Sequence, residues 1–287
     1  MSRNSRNKSL HEAVIDAQTG FFKPKGVDEK GYLALPEDNL IEPFPNCWEK
    51  IKEELGKGAG RELEGHFLAV HSSSALCVNN FAPFKEHCTK LSFLGYSGFK
   101  EAQFEKKQPT GLRGTPPHLD FYLESPEVVI GVESKFTEHG GMQAPNHSTR
   151  DRTNNLEKYR NRKELSYLPK GFQESIIEHY SNDDEPQHLD VAQLIKHTIG
   201  LLNNRNGKKA ILVYLYWEPS NPTIDNLFAE HRNNIELFKR RIEQFIQFIE
   251  FVPLSYPEFW KQYENDALLK DHFSKVKERY GFEMKTW

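Results

Sequence analysis

Cysteine is scarce in this chain. Cys47, Cys77 and Cys88 are the whole complement in 287 residues, and no two of them form a C-x-x-C pair. An odd, unpaired set excludes a disulfide framework and a structural zinc site, and it points to a reducing compartment. No stretch approaches the roughly 20 apolar residues of a membrane-spanning helix. The N-terminal MSRNSRNKSLHEAVIDAQ lacks the apolar core of a secretory signal. The chain is therefore expected to be cytoplasmic, with no membrane partner. An excess of one charge is also missing. Lys and Arg number 38 against 41 Asp and Glu, a net −3, so the chain as a whole is not built to coat a polyanion. Four signatures are absent as well: the P-loop, a G-x-G-x-x-G after a strand, the G-x-S-x-G elbow and H-E-x-x-H. Phosphate-loop, dinucleotide, serine-hydrolase and zincin chemistry therefore have no support.

What is present is an ordinary globular composition, 37% hydrophobic and 28% charged, in a chain long enough to bury a substantial core. Residues 1–46 are polar and punctuated by Pro and Gly, and read as an irregular arm. From Trp48 to about Asn80 the apolar spacing is helical, with a break at GKGAG (Gly56 to Gly60). KLSFLGY (Lys90 to Tyr96), HLDFYLES (His118 to Ser125) and EVVIGVESK (Glu127 to Lys135) read as three strands, the last two joined by a tight reversal. A helix follows over Leu189–Leu202, with Val191, Leu194, Ile195, Thr198, Leu201 and Leu202 in one stripe. KAILVYLYW (Lys209 to Trp217) reads as a buried strand, and an amphipathic helix runs from about Asn226 to Phe248. A short strand within FVPLSYPEFW and a terminal helix complete the pattern. The predicted fold is α/β, three layers around a mixed sheet. The expected division is the arm, a main domain over 47–260, and a C-terminal helix over 261–287 packed on that domain.

One strand end is unusual. The apolar run VVIGV leads straight into Glu133, Ser134 and Lys135. Alternation puts Val129, Gly131, Glu133 and Lys135 on one face, and the bare Gly131 leaves room beside Glu133. By itself this reads as a solvated ion pair at a strand exit. The hairpin geometry adds weight, because a turn at Ser125–Pro126–Glu127 sets Asp120 opposite a residue between Gly131 and Glu133. Directly paired side chains lie about 5 Å apart on one face. Opposed carboxylates repel unless a hard divalent cation such as Mg²⁺ lies between them. Metal, carboxylates and a nearby lysine suit phosphodiester hydrolysis.

PPHLDFYLESPEVVIGVESK resembles the core motif of the PD-(D/E)XK nuclease superfamily, and the order of helices and strands resembles its αβββαβ core. The proline is Pro117, three residues before Asp120, so the match reads P-H-L-D rather than P-D. The resemblance covers about residues 60 to 217. It implies a restriction-endonuclease-like fold and a metal-dependent nuclease, expected to be an endonuclease acting on DNA in preference to RNA. It implies Mg²⁺, with Mn²⁺ as a substitute, held by Asp120, Glu133 and the carbonyl of Ser134, with Lys135 as the catalytic lysine. It further implies an acid from the first helix, Glu62 or Glu64, of which Glu64 is carried forward. On the Leu189–Leu202 helix, Asp190, Gln193, Lys196, His197 and Gly200 form a polar stripe. Gln193 and Lys196 match a position from which members of the superfamily reach the metal site. Ser72 to Ser74 and Asn79–Asn80 suit a helix packed close to the sheet beside a polar cavity.

His118, two residues before Asp120, is placed at the edge of the site. Between Arg150 and Lys170 basic residues outnumber acidic ones, and Arg150, Arg152, Arg160 and Arg162 are candidates to grip phosphates. A homodimer is a further expectation. Two rival readings share these residues: a catalytically silent nucleic-acid-binding module on the same fold, and a non-nuclease metal enzyme.

Overall fold

The computed structural model describes residues 9–58, 62–140, 156–182 and 188–286. Its centre is a five-stranded sheet in the order β1 (Glu101–Lys107), β2 (His118–Glu124), β3 (Val128–Lys135), β4 (Lys209–Tyr216) and β5 (Ile249–Ser255). β1, β2 and β3 form an antiparallel meander, and β4 and β5 continue it in parallel. Parallel neighbours need a crossover, and helices supply it. The mixed sheet with flanking helices is the predicted α/β architecture.

Strand alternation divides the core cleanly. Phe121, Leu123, Val128, Ile130, Val132, Ile211, Val213 and Leu215 bury on one face. That face is covered by α1 (Leu10–Phe22), α2 (Trp48–Leu55), α3 (Ser73–His87) and, later in the chain, the C-terminal helices. Tyr122, Val129, Ala210, Leu212, Tyr214 and Phe251 bury on the other face. There they meet a π-helical turn (Gln173–Glu178) that leads into the short α4 (His179–Asn182), then α5 (Val191–Asn204) and α6 (Asn226–Ile242). β5 is followed by α7 (Tyr256–Gln262) and α8 (Lys270–Tyr280).

Three expectations change. The arm is not irregular, since α1 occupies Leu10–Phe22. Its start is a capping box in which Ser9 and Glu12 satisfy each other's free N–H groups. Leu10 and Val14 join the same apolar cluster as Phe121, Trp260 and Tyr280, and Gln18 Nε2 donates to the Arg279 carbonyl at 2.9 Å. First and last helices thus share one core with the sheet. Second, Lys90–Tyr96 is no strand; it holds only an isolated bridge between Phe93 and Tyr96. The first strand is the charged EAQFEKK of β1, an edge strand with Phe104 as its one fully buried side chain. Third, the helical stretch expected from Trp48 to about Asn80 breaks at Gly56 as expected, but α3 resumes only at Ser73, with short 3₁₀ turns at Glu62–Glu64 and His66–Leu68 before it.

Candidate active site at the β2–β3 strand ends

The β2–β3 register pairs Phe121 with Val132 and Glu124 with Val129. Extending it by one step sets Asp120 opposite Glu133, just past the last paired residues. The ladder stops there because Asp120 takes over its role: its Oδ2 accepts the Ser134 N–H at 2.6 Å. Glu133 and Lys135 direct their main chains toward β4, as the Trp217 N–H to Lys135 carbonyl bond confirms. The main chain of Ser134 therefore points to the β2 side, where the ladder has ended. Its side chain faces the opposite layer and bonds to the Tyr256 hydroxyl at 2.7 Å.

Gly131 does not leave open space. A Cβ there would lie 2.6 Å from Leu119 Cδ1 and 3.1 Å from Leu201 Cδ1. Leu119 belongs to the same apolar cluster as Tyr122, whereas Phe121 belongs to the opposite one, so β2 changes phase next to Asp120. Its neighbour changes with it. Glu105 lies between the pairs Phe104–Phe121 and Lys106–Leu119, which places it opposite Asp120, and its φ is +49°. A left-handed conformation inside a strand is strained for a residue with a side chain. Glu105 was not singled out from the sequence, since its strand was not recognised.

α5 lies over this strand end. Gln193 accepts a hydrogen bond from Lys135 Nζ at 2.9 Å. One turn later, His197 Nε2 stands 2.9 Å from Glu133 Oε2, though out of line for a hydrogen bond. Residues four apart on a helix span nearly the rise of two residues in a strand. Gln193 and His197 therefore read Lys135 and Glu133 in reverse order. The polar stripe is an inner face: His197 is buried, and a Cβ on Gly200 would lie 2.7 Å from the Gln108 carbonyl. Asp190 caps the helix by accepting the Gln193 N–H at 2.8 Å.

The electrostatics follow from crowding. Burial, with Glu133 next, pushes the Asp120 carboxyl well above the usual range. Burial also pushes Glu133 up, but Lys135 at 2.6 Å and His197 outweigh it and hold the carboxyl at about 2. Glu105 is raised to about 7 by burial and by Glu62 and Glu133. Burial disfavours the Lys135 ammonium, yet Glu133, Glu138 and Asp120 raise it well above its ordinary value. Among the described residues no three His, Cys, Asp or Glu side chains converge as a ready-made metal cage. Two carboxylates, one of them with a buried oxygen lacking a hydrogen bond, and a main-chain carbonyl form a sparser donor set, and it suits a hard cation that keeps its waters.

Glu64 is turned to solvent on its 3₁₀ turn, because the chain there is no longer the first helix. Glu62 faces inward instead and accepts from Ser74 Oγ at 3.1 Å. With Ser72 to Ser74, Thr137, Glu138 and His71 it lines a cavity of about 250 Å³. Asn79 and Asn80 do not face that cavity. They satisfy buried groups, Asn79 bonding the Tyr280 hydroxyl at 3.0 Å and Asn80 accepting from Trp260 Nε1 at 2.7 Å. Lys196 is half-buried beside His197. Arg162 is exposed, while Arg160 is shared between Glu157 and Glu178 at 3.4 and 3.9 Å. Arg150 and Arg152 lie outside the described residues. No described helix is long and apolar enough to cross a membrane.

The family described as restriction endonuclease associating with ARP matches residues 8–281. No curated protein and no solved structure matches the chain. The match takes in α1, the whole sheet and α8, and so spans every element that builds the strand-end site. The chain belongs to this restriction-endonuclease-like family.

Proposed function

We propose that the chain is a metal-dependent nuclease that hydrolyses phosphodiester bonds in DNA. The observation that carries this reading is Asp120 opposed to Glu133 where the β2–β3 ladder stops, with Lys135 beside them. Holding two carboxylates together in a dry site works against stability, and a divalent cation turns that cost into binding. Asp120, Glu133 and the Ser134 carbonyl would hold Mg²⁺, or Mn²⁺ in its place. When bound, the cation supplies a water of lowered pKa and positive charge at the phosphate. Lys135 adds a compact positive charge where negative charge develops. Gln193 fixes the direction of that ammonium, and His197 backs Glu133.

Arg160, Arg162 and Lys196 supply sequence-independent contacts to backbone phosphates, and Arg150 and Arg152 belong to the same basic stretch of sequence. The family description names an association with ARP, and we extend this to the chain as a protein partner of the nuclease. A homodimer would present two such sites to the two strands of a duplex.

The test is cleavage of plasmid and single-stranded DNA with Mg²⁺ or Mn²⁺, comparing the native chain with Asp120→Ala and Lys135→Ala. Metal-dependent cutting that disappears in both variants supports the reading. Tight binding without cutting by the native chain would replace it with a nucleic-acid-binding module.

A further inference from the structure

The connection between β1 and β2 takes no part in the proposed chemistry, yet it leaves the sheet at the end that carries Asp120 and Glu133. Lys107 and His118 are the last pair of the β1–β2 ladder, and Asp120 follows two residues later. Ten residues, QPTGLRGTPP from Gln108 to Pro117, join the two strands.

The base of this loop is fixed. The Gln108 N–H donates to the Pro117 carbonyl at 2.8 Å and closes it. The Pro109 carbonyl accepts from the side chains of Asn203 and Asn204, at 2.9 and 2.8 Å. The Thr110 carbonyl accepts from the Tyr167 hydroxyl at 2.7 Å. Pro109, Pro116 and Pro117 restrict the backbone on either side. Leu112 turns inward and packs against the apolar cluster that includes α5.

The tip is different. Gly111 and Gly114 have φ of +80° and +114°, conformations that glycine adopts without strain. Between them Arg113 is exposed, and among the described residues it forms no ion pair and no hydrogen bond. It is the one charged side chain of the loop. A Cβ on Gly111 would lie 3.8 Å from the Glu164 carbonyl, in the 3₁₀ turn that follows Arg162. The loop therefore adjoins the basic turn assigned above to backbone phosphates.

Two features favour a base over one more phosphate as the target of Arg113. Surfaces that follow a phosphate backbone gather several cations, and this loop has one charge in ten residues. A two-stranded connection is also of a width that the major groove of duplex DNA admits. There the planar guanidinium meets guanine O6 and N7 with two parallel hydrogen bonds. A base fixed in advance reduces the ordering cost of that contact.

We propose that Arg113, presented by the β1–β2 loop, reads a guanine in the major groove beside the cut bond. The inference rests on the nuclease reading above and supplies it with a recognition element.

The test digests a randomised pool of DNA duplexes with the full chain and Mg²⁺, and sequences the ends. The native chain should enrich guanine at one position near the cut. Arg113→Ala should reduce that enrichment about tenfold and leave the preferences at other positions in place. Arg113→Lys, which keeps the charge without the fork, should also reduce it. Binding is then measured by fluorescence anisotropy in EDTA. Replacing that guanine by 7-deazaguanine, which lacks the N7 acceptor, should weaken binding by the native chain and change nothing further in Arg113→Ala. Three outcomes would overturn the proposal and leave the nuclease reading intact: no guanine preference in the native chain, the same preference in Arg113→Ala, or a loss of affinity in Arg113→Ala that is uniform across sequences. A native chain that neither binds nor cuts any nucleic acid would overturn both.

Discussion

Lys135 donates a hydrogen bond to Gln193 at 2.9 Å, joining the end of a strand to the first turn of a helix 58 residues further along the chain. The bond fixes an ammonium that also pairs with Glu133 at 2.6 Å, and it makes α5 part of the site. Gln193→Ala should lower the single-turnover cleavage rate about tenfold, the worth of one hydrogen bond to a charged group. The circular dichroism spectrum should be unchanged. Full activity in this variant would reduce Gln193 to a bystander.

Asp120→Asn keeps an oxygen for the Ser134 N–H and removes one of two facing charges. Its metal-free form should melt at a higher temperature than the native chain, as sites that store repulsion for function do. Addition of Mg²⁺ or Mn²⁺ should raise the melting temperature of the native chain and leave the variant nearly unmoved. A thermal melt with and without metal decides this.

Two glycines answer differently to a methyl group. At Gly200 the added Cβ meets the Gln108 carbonyl at 2.7 Å, a main-chain atom held by the β1 edge. At Gly131 it meets the ends of the Leu119 and Leu201 side chains, which can turn aside. Gly200→Ala should destabilise by about 1–3 kcal/mol despite its better helix propensity, and Gly131→Ala by less. Urea denaturation of the pair gives the order, and a reversal would show that α5 is free to shift off the sheet.

Arg162 is exposed and, among the described residues, has no carboxylate partner; its Nε donates to the Lys158 carbonyl at 2.9 Å. Arg160 already divides its charge between Glu157 and Glu178. Arg162→Ala should therefore flatten the salt dependence of DNA binding more than Arg160→Ala. An unchanged slope in both would remove this turn from the binding surface.

Far from the site, His272 and Lys275 on α8 hold Glu42, whose carboxyl the His272 contact and then Lys275 keep down at about 2 despite opposing burial. A carboxyl depressed from 4.5 stabilises the fold above pH 4.5, and that contribution is lost as the pH falls toward 2. Glu42→Gln should thus be less stable than the native chain at neutral pH, with the gap closing between about pH 4.5 and 2. Melting temperatures across that range measure it; a constant gap would mean packing, not charge, explains the loss.

The β2–β3 hairpin was legible because its information is local. The alternation of VVIGVESK and the tight turn at Ser125–Pro126 placed Asp120 opposite a residue between Gly131 and Glu133, and the observed register extends to Glu133. β1 was not legible. EAQFEKK is an edge strand with one fully buried side chain, so its composition carries almost no strand signal, and Glu105 was lost with it. α1 was missed although its capping box, Ser9 with Glu12, is written in the sequence, because the surrounding polar residues hid its short apolar face. Glu64 was expected on the first helix, and the chain there forms a 3₁₀ turn, because helical spacing was read on past the break at GKGAG.

By itself the sequence determined which side chains share a face, because a strand repeats every two residues and that period needs no partner. Asp120, Glu133 and Lys135 followed from it. Tertiary structure alone decided what stands over that face. Gln193 and His197 come to Lys135 and Glu133 only because the apolar residues of α5 bury against β3 and β4, a choice made by packing across the whole domain. The same packing turned a polar stripe that reads as a surface into the ceiling of the site.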